Sequence, residues 1–100
     1  MTFKEAQDKA LELFWKIRPQ AQERNLDADI RFSVDGTTDG GAIDEPYETL
    51  DFTICYFTKD ASGKRKYNQV LRFYASTLHG ELTERFEKLE DDLKKEGFAL

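Results

Sequence analysis

One cysteine and one histidine, Cys55 and His79, are all the thiol and imidazole that this 100-residue chain carries. A single thiol excludes an intrachain disulfide, and one thiol with one imidazole is too few for a structural zinc site. A lone cysteine suits a reducing compartment, so the expectation is a cytoplasmic protein. No apolar run reaches membrane-spanning length before Asp, Lys or Arg interrupts it. The opening Met-Thr-Phe-Lys-Glu lacks the basic-then-apolar order of a secretion signal. A glycine-rich phosphate loop, a dinucleotide fingerprint and a serine nucleophile elbow are also missing. A Cys–His nucleophile pair needs an accessible, activated thiol, and Cys55 falls mid-strand, where a packed small side chain is the simpler reading. These absences point away from an enzyme and away from any cofactor.

Basic residues are missing over one long stretch. Between Phe32 and Thr58 stand Asp35, Asp39, Asp44, Glu45, Glu48 and Asp51, with no Lys or Arg. The chain carries a net charge of −5, so this stretch at −6 leaves the remainder at +1. A block of one sign describes a surface and its partners, not a fold. The negative balance disfavours direct binding to nucleic acid or to anionic membranes.

What is present reads as a soluble α+β domain. One hundred residues fit one domain, 1–100, and the 39% hydrophobic content suffices for one core. Thr2-Phe3-Lys4-Glu5 is a capping box. Phe3, Ala6, Ala10, Leu13, Phe14, Ile17 and Ala21 then recur at helical spacing, with Glu5–Lys9 and Glu12–Lys16 as i,i+4 pairs. Pro19 predicts a kink or restart, and the helix ends near Asn25. Ala28, Ile30, Phe32 and Val34 alternate with polar residues as in a half-buried strand. Gly36 to Pro46 reads as a long loop. A second strand runs from about Tyr47 to Thr58, Asp60 to Gly63 turn, and a third strand runs from about Lys64 to Ala75. Leu78, Leu82, Phe86, Leu89 and Leu93 mark a second helix, capped by Ser76 or Thr77. Gly97 takes the left-handed position after that helix, folding Phe98 back on Leu93.

The expected architecture is a two-layer αβββα fold, a three-stranded antiparallel meander with both helices on one face. Matching apolar faces predicts Phe52 opposite Leu71 and Leu50 opposite Phe73, which also sets Asp51 opposite Arg72. The Asp60–Gly63 turn chemistry argues for a register one residue different. The acidic loop falls at one pole, with Lys59, Lys64, Arg65 and Lys66 at the other. The order of elements resembles that of double-stranded RNA-binding domains. Those domains present Lys at the start of the second helix, where this chain has Gly80-Glu81-Leu82-Thr83-Glu84, an acidic start that repels phosphate.

Asp35-Gly36-Thr37-Thr38-Asp39-Gly40 resembles the opening of a calcium loop, but Pro46 stands where the bidentate Glu belongs. A less regular divalent-cation site, closed by Asp44 or Glu45, is the alternative to a solvated loop. Two apolar surfaces are left after the core is assigned. Leu11 and Trp15 lie off the centre of the first helix's stripe, where a wide buried arc or a contact accounts for them. Cys55, Phe57, Val70 and Tyr74 share the sheet face away from the helices, where clustered aromatics mark a contact. The expected function is a non-enzymatic binding protein of inhibitor, immunity or regulatory-subunit type. Its partner is a protein with a basic surface, met through Asp39, Asp44, Glu45, Glu48, Asp51, Phe57, Val70, Tyr74 and Trp15, or a second copy at the open sheet face. Mimicry of nucleic-acid charge by the carboxylates is the other reading.

Overall fold

A computed structural model of the chain describes residues 1–35, 38–39, 42–43, 47–78 and 80–100, with side chains for 1–34, 47–78 and 80–100. The first helix, α1, is Phe3–Glu23. It starts as its sequence dictates: Glu5 N–H donates to Thr2 Oγ1 at 3.1 Å and Thr2 N–H donates to Glu5 Oε1 at 3.4 Å. The break expected at Pro19 is absent as a restart, because one helix runs through it. Proline removes the donor to the Trp15 carbonyl, but both residues stand on the exposed side, so that carbonyl is left toward solvent. Lys9 reaches Glu90 of the second helix at 2.7 Å rather than Glu5 on its own.

Both helices end with the same device. Asn25 has φ 55° and Gly97 φ 89°, each in the left-handed position after its helix. Leu26 N–H then donates to the Ala21 carbonyl at 2.8 Å, and Phe98 N–H to the Leu93 carbonyl at 3.0 Å. These are Schellman closures, and each folds an apolar residue back onto the core. Phe98 is buried by it.

Three antiparallel strands form one sheet in the order β1 (Asp27–Asp35), β4 (Tyr47–Lys59), β5 (Arg65–Ser76). Two short strands, β2 (Thr38–Asp39) and β3 (Ala42–Ile43), pair with each other inside the expected long loop. Phe52 faces Phe73, Ile54 faces Leu71 and Leu50 faces Ala75, two residues away from the expected register. The turn explains the difference. Gly63, at φ 81°, and the Asp60–Lys64 backbone bond fix Lys59 opposite Arg65, and that pairing persists to Cys55 opposite Gln69. Continued unbroken, it would set outward residues of one strand against inward residues of the other. One extra residue on β5, Val70, breaks the run as a β-bulge and brings Leu71 into line with Ile54. Both sequence signals are therefore obeyed, each on its own side of the bulge. Arg72 still binds Asp51, at 2.7 Å, as a diagonal neighbour instead of a direct partner.

Cross-strand partners point to one face, and this locates the helices. Phe14 of α1 meets Phe52 with ring centroids 6.4 Å apart, and Phe86 of the second helix, α2 (Leu82–Lys95), meets Phe73 at 4.9 Å. Phe52 and Phe73 are partners, so α1 and α2 cover the same side. Their buried residues join Leu50, Phe52, Ile54, Leu71 and Phe73 in one core. Helix α2 begins later than expected. Ser76 ends β5, and Thr77 extends the ladder by exchanging backbone and hydroxyl bonds with Glu48, so neither caps the helix. Leu78 is consequently exposed, outside the helical stripe.

Candidate functional site

The molecule measures 47 × 37 × 18 Å. Its thin dimension holds one sheet and one layer of helices, which pack about 10 Å apart, with no room for a third layer. The long dimension follows β4, whose 13 residues at about 3.3 Å each span nearly its whole length. The second face of the sheet is therefore the largest surface that the helices leave open.

Alternation on β4 turns Asp51, Thr53, Cys55 and Phe57 to this face, and the pairings add Asp27, Asp29 and Arg31 from β1 and Tyr67, Gln69 and Arg72 from β5. Together they line a groove of about 550 Å³. Its charges are largely matched. Arg31 Nε lies 2.8 Å from Asp29 and Arg72 Nη2 lies 2.7 Å from Asp51. The Asp51 hydrogen bond, and then its charge, push Arg72 further toward the protonated state. Cys55 forms the floor at 7% exposure. Burial, and then the neighbouring Asp27 and Asp29 carboxylates, raise its thiol above the ordinary value, only partly opposed by Arg65. A protonated, covered thiol is a poor nucleophile. The thiol is thus arranged as packing, not as a reactive group.

The groove ends in an aromatic cluster near the β4–β5 tip. Phe57 and Tyr67 are cross-strand partners in an edge-to-face contact, 5.7 Å between centroids, and Tyr67 is 50% exposed. The Arg65 guanidinium stacks 3.6 Å above the Phe57 ring. Exposed Lys59, Lys64 and Lys66 complete a basic tip held by Asp60, whose Oδ1 accepts from Ser62 and Lys64 backbone N–H groups at 2.9 Å. Tyr and Arg at an uncovered, rigid position are the residue types that anchor protein contacts.

The expected contact residues are divided by this geometry. Phe57 and Tyr74 stand on the open face. Val70 does not: as the bulge residue it is half-buried and packs against the core. Trp15 is 58% exposed, but on the helical layer, where Arg18 lies 5.7 Å from its ring centroid. Glu48 is exposed on β4. Asp51 is not an uncompensated carboxylate, since Arg72 binds it. Asp39, Asp44, Glu45, the calcium-like segment and His79 lie outside the residues whose side chains are described. Tyr67 and the Asp29–Arg31 pair were missed in the sequence, which placed Arg65 at the basic pole but not among the contact residues. The turn-based register alone contained the signal for Tyr67, because pairing Lys59 with Arg65 also pairs Phe57 with Tyr67.

Among the described residues no three His, Cys, Asp or Glu side chains converge on a metal-sized site. No described helix is long and apolar enough to cross a membrane. Comparison of the chain with protein-family models, with curated proteins and with solved structures found no significant match.

Proposed function

We propose that this chain is a non-catalytic protein-binding protein, of inhibitor, immunity or regulatory-subunit type, that takes its partner on the open face of its sheet. The observation that supports this reading is the Phe57–Tyr67–Arg65 cluster: large, ordered side chains, uncovered, on a two-stranded arm. Burying such a cluster contributes apolar area and a desolvated cation–π contact at once. The matched ion pairs around it orient a partner, contributing specificity more than raw affinity. The acidic stretch between Phe32 and Thr58 serves encounter with a basic surface, and Asp51 is left out of that role because Arg72 occupies it.

The test is a footprint. Hydroxyl-radical labelling of the chain, alone and with its host protein extract, should protect Phe57, Tyr67 and Tyr74 while Trp15 remains labelled. The double variant Phe57→Lys, Tyr67→Glu should lose that protection with unchanged circular dichroism. Protection of Trp15 and not of the open-face aromatics would move the contact to the helical layer and defeat the reading.

A further inference from the structure

A three-stranded sheet has two edges, and this chain treats them differently. The β5 edge is blunted by the bulge at Val70, by Arg65 and Lys66, and by Arg85, whose guanidinium donates to the Tyr74 carbonyl. Such features discourage pairing with another strand. The β1 edge carries charges of its own, Asp27, Asp29, Arg31 and Asp35, but no bulge. Asp27–Asp35 contains no Lys, Pro or Gly, its pairing with β4 is unbroken over nine residues, and among the described residues no strand pairs with its other side. Beside this edge stand apolar side chains without cover. Phe32 is 43% and Val34 71% exposed, although both point to the helix-covered face, as their partners Leu50 and Glu48 do. Lys9 and Gln20 turn one flank of α1 to α2 and the C-terminal residues, and Leu11 and Trp15 stand exposed on the helix away from that flank.

We propose that the β1 edge pairs antiparallel with β1 of a second copy of this chain, centred on Ile30, to make one continuous six-stranded sheet. Of this register and its two neighbours, only this one sets no like charges opposite each other, although centring on Asp29 would also pair Asp27 with Arg31. With Ile30 opposite Ile30, Asp29 faces Arg31 of the second copy and Arg31 faces its Asp29, while Ala28 and Phe32 face each other twice. Moving the centre to Asp29 sets that carboxylate against itself, and moving it to Arg31 sets two guanidinium groups together. Like charges directly opposite destabilise a strand pair, whereas opposite charges contribute favourably. A two-fold axis normal to the sheet keeps both helical layers on one side. Each copy's uncovered Phe32 and Val34 then lie beside the α1-covered half of the other's β1. The two open faces also become neighbours on one surface, which goes beyond the single-face reading above.

The strand's charge code permits a decisive exchange experiment. Asp29→Arg places Arg at both positions, and Arg31→Asp places Asp at both. Sedimentation equilibrium should show wild-type dimers, and each single variant should dimerise about tenfold more weakly or worse, from two like-charge pairs. Mixing the two variants should restore association, seen as the heterodimer in native mass spectrometry. The double variant carrying both exchanges should dimerise by itself. Both side chains are substantially exposed, at 48% and 80%, so the fold should tolerate the substitutions, checked by circular dichroism. Phe57→Lys with Tyr67→Glu should leave dimerisation unchanged, which separates this edge from the open face. A wild-type monomer throughout the concentration series, or single variants that self-associate as wild type does, would overturn the proposal.

Discussion

Asp60 organises the β4–β5 tip through one oxygen. Its Oδ1 accepts from the Ser62 hydroxyl at 2.6 Å and from the backbone N–H of Ser62 and Lys64, each at 2.9 Å. The Ser62 hydroxyl first, and then the Lys64 backbone, hold the carboxyl below its ordinary value of 3.8. A lowered folded-state value means that the ionised form is the one that stabilises the tip. That contribution is complete above the ordinary value and disappears as the pH falls through the lowered one. Amide exchange at Ser62 and Lys64 should therefore stay protected down to the carboxylate range and accelerate below it. In Asp60→Ala the same amides should exchange rapidly at every pH. Protection that ignores pH in the wild type would show that the backbone turn, not the carboxylate, holds the tip.

Among the elements, the bulge on β5 has the widest consequence. It lets a short turn and a packed sheet coexist, and it moves Val70 from the open face to the edge of the core. An open-face Val70 predicts that Val70→Ala is nearly neutral for stability and weakens partner binding. The packed Val70 predicts the reverse. Removing two methyl groups from a half-buried site should cost about 1 kcal/mol, at the low end of core truncations. Urea denaturation should show that loss as a lower midpoint with an unchanged slope. Partner binding at Phe57 and Tyr67 should not respond. The late start of α2 belongs to the same scale. Ser76 and Thr77 have good capping side chains, but the Ser76 hydroxyl accepts from the Leu78 N–H at the end of β5 and Thr77 pairs with Glu48, and Glu81 opens the helix without a side-chain cap.

At the scale of the whole molecule, charge is separated along the length of β4. The basic tip stands at one end, and the acidic stretch joins β1 to β4 at the other. With Asp51 bound to Arg72, the carboxylates left for a steering role are fewer than the sequence alone suggests. Changing Asp39, Asp44, Glu45 and Glu48 to Asn or Gln should slow association with a basic partner and flatten its salt dependence. Dissociation should change less, because rim charges act chiefly on encounter. Stopped-flow rates at two ionic strengths measure both. An unchanged rate and salt slope would reduce the acidic stretch to a solubility role.

Several features were legible in the residues themselves: the Thr2–Glu5 box, the Gly97–Phe98 closure, the apolar stripe of α1 and the order of the elements. Each depends on hydrogen bonds or packing between residues a few positions apart, so the necessary partners are already present in the local sequence. The register of β4 with β5, the inward turn of Val70 and the start of α2 were settled only by tertiary structure. They depend on which distant segment lies alongside, and there two local preferences had to be reconciled. The turn fixed one alignment and the apolar faces demanded another, and one bulged residue was the least disruptive way to satisfy both. Exposure followed the same logic. Phe32 and Val34 carry the strand pattern of core residues, yet a half-buried pattern says only which face a side chain joins. Whether anything covers that face depends on where α1 lies across the sheet, and over the end of β1 it leaves them open.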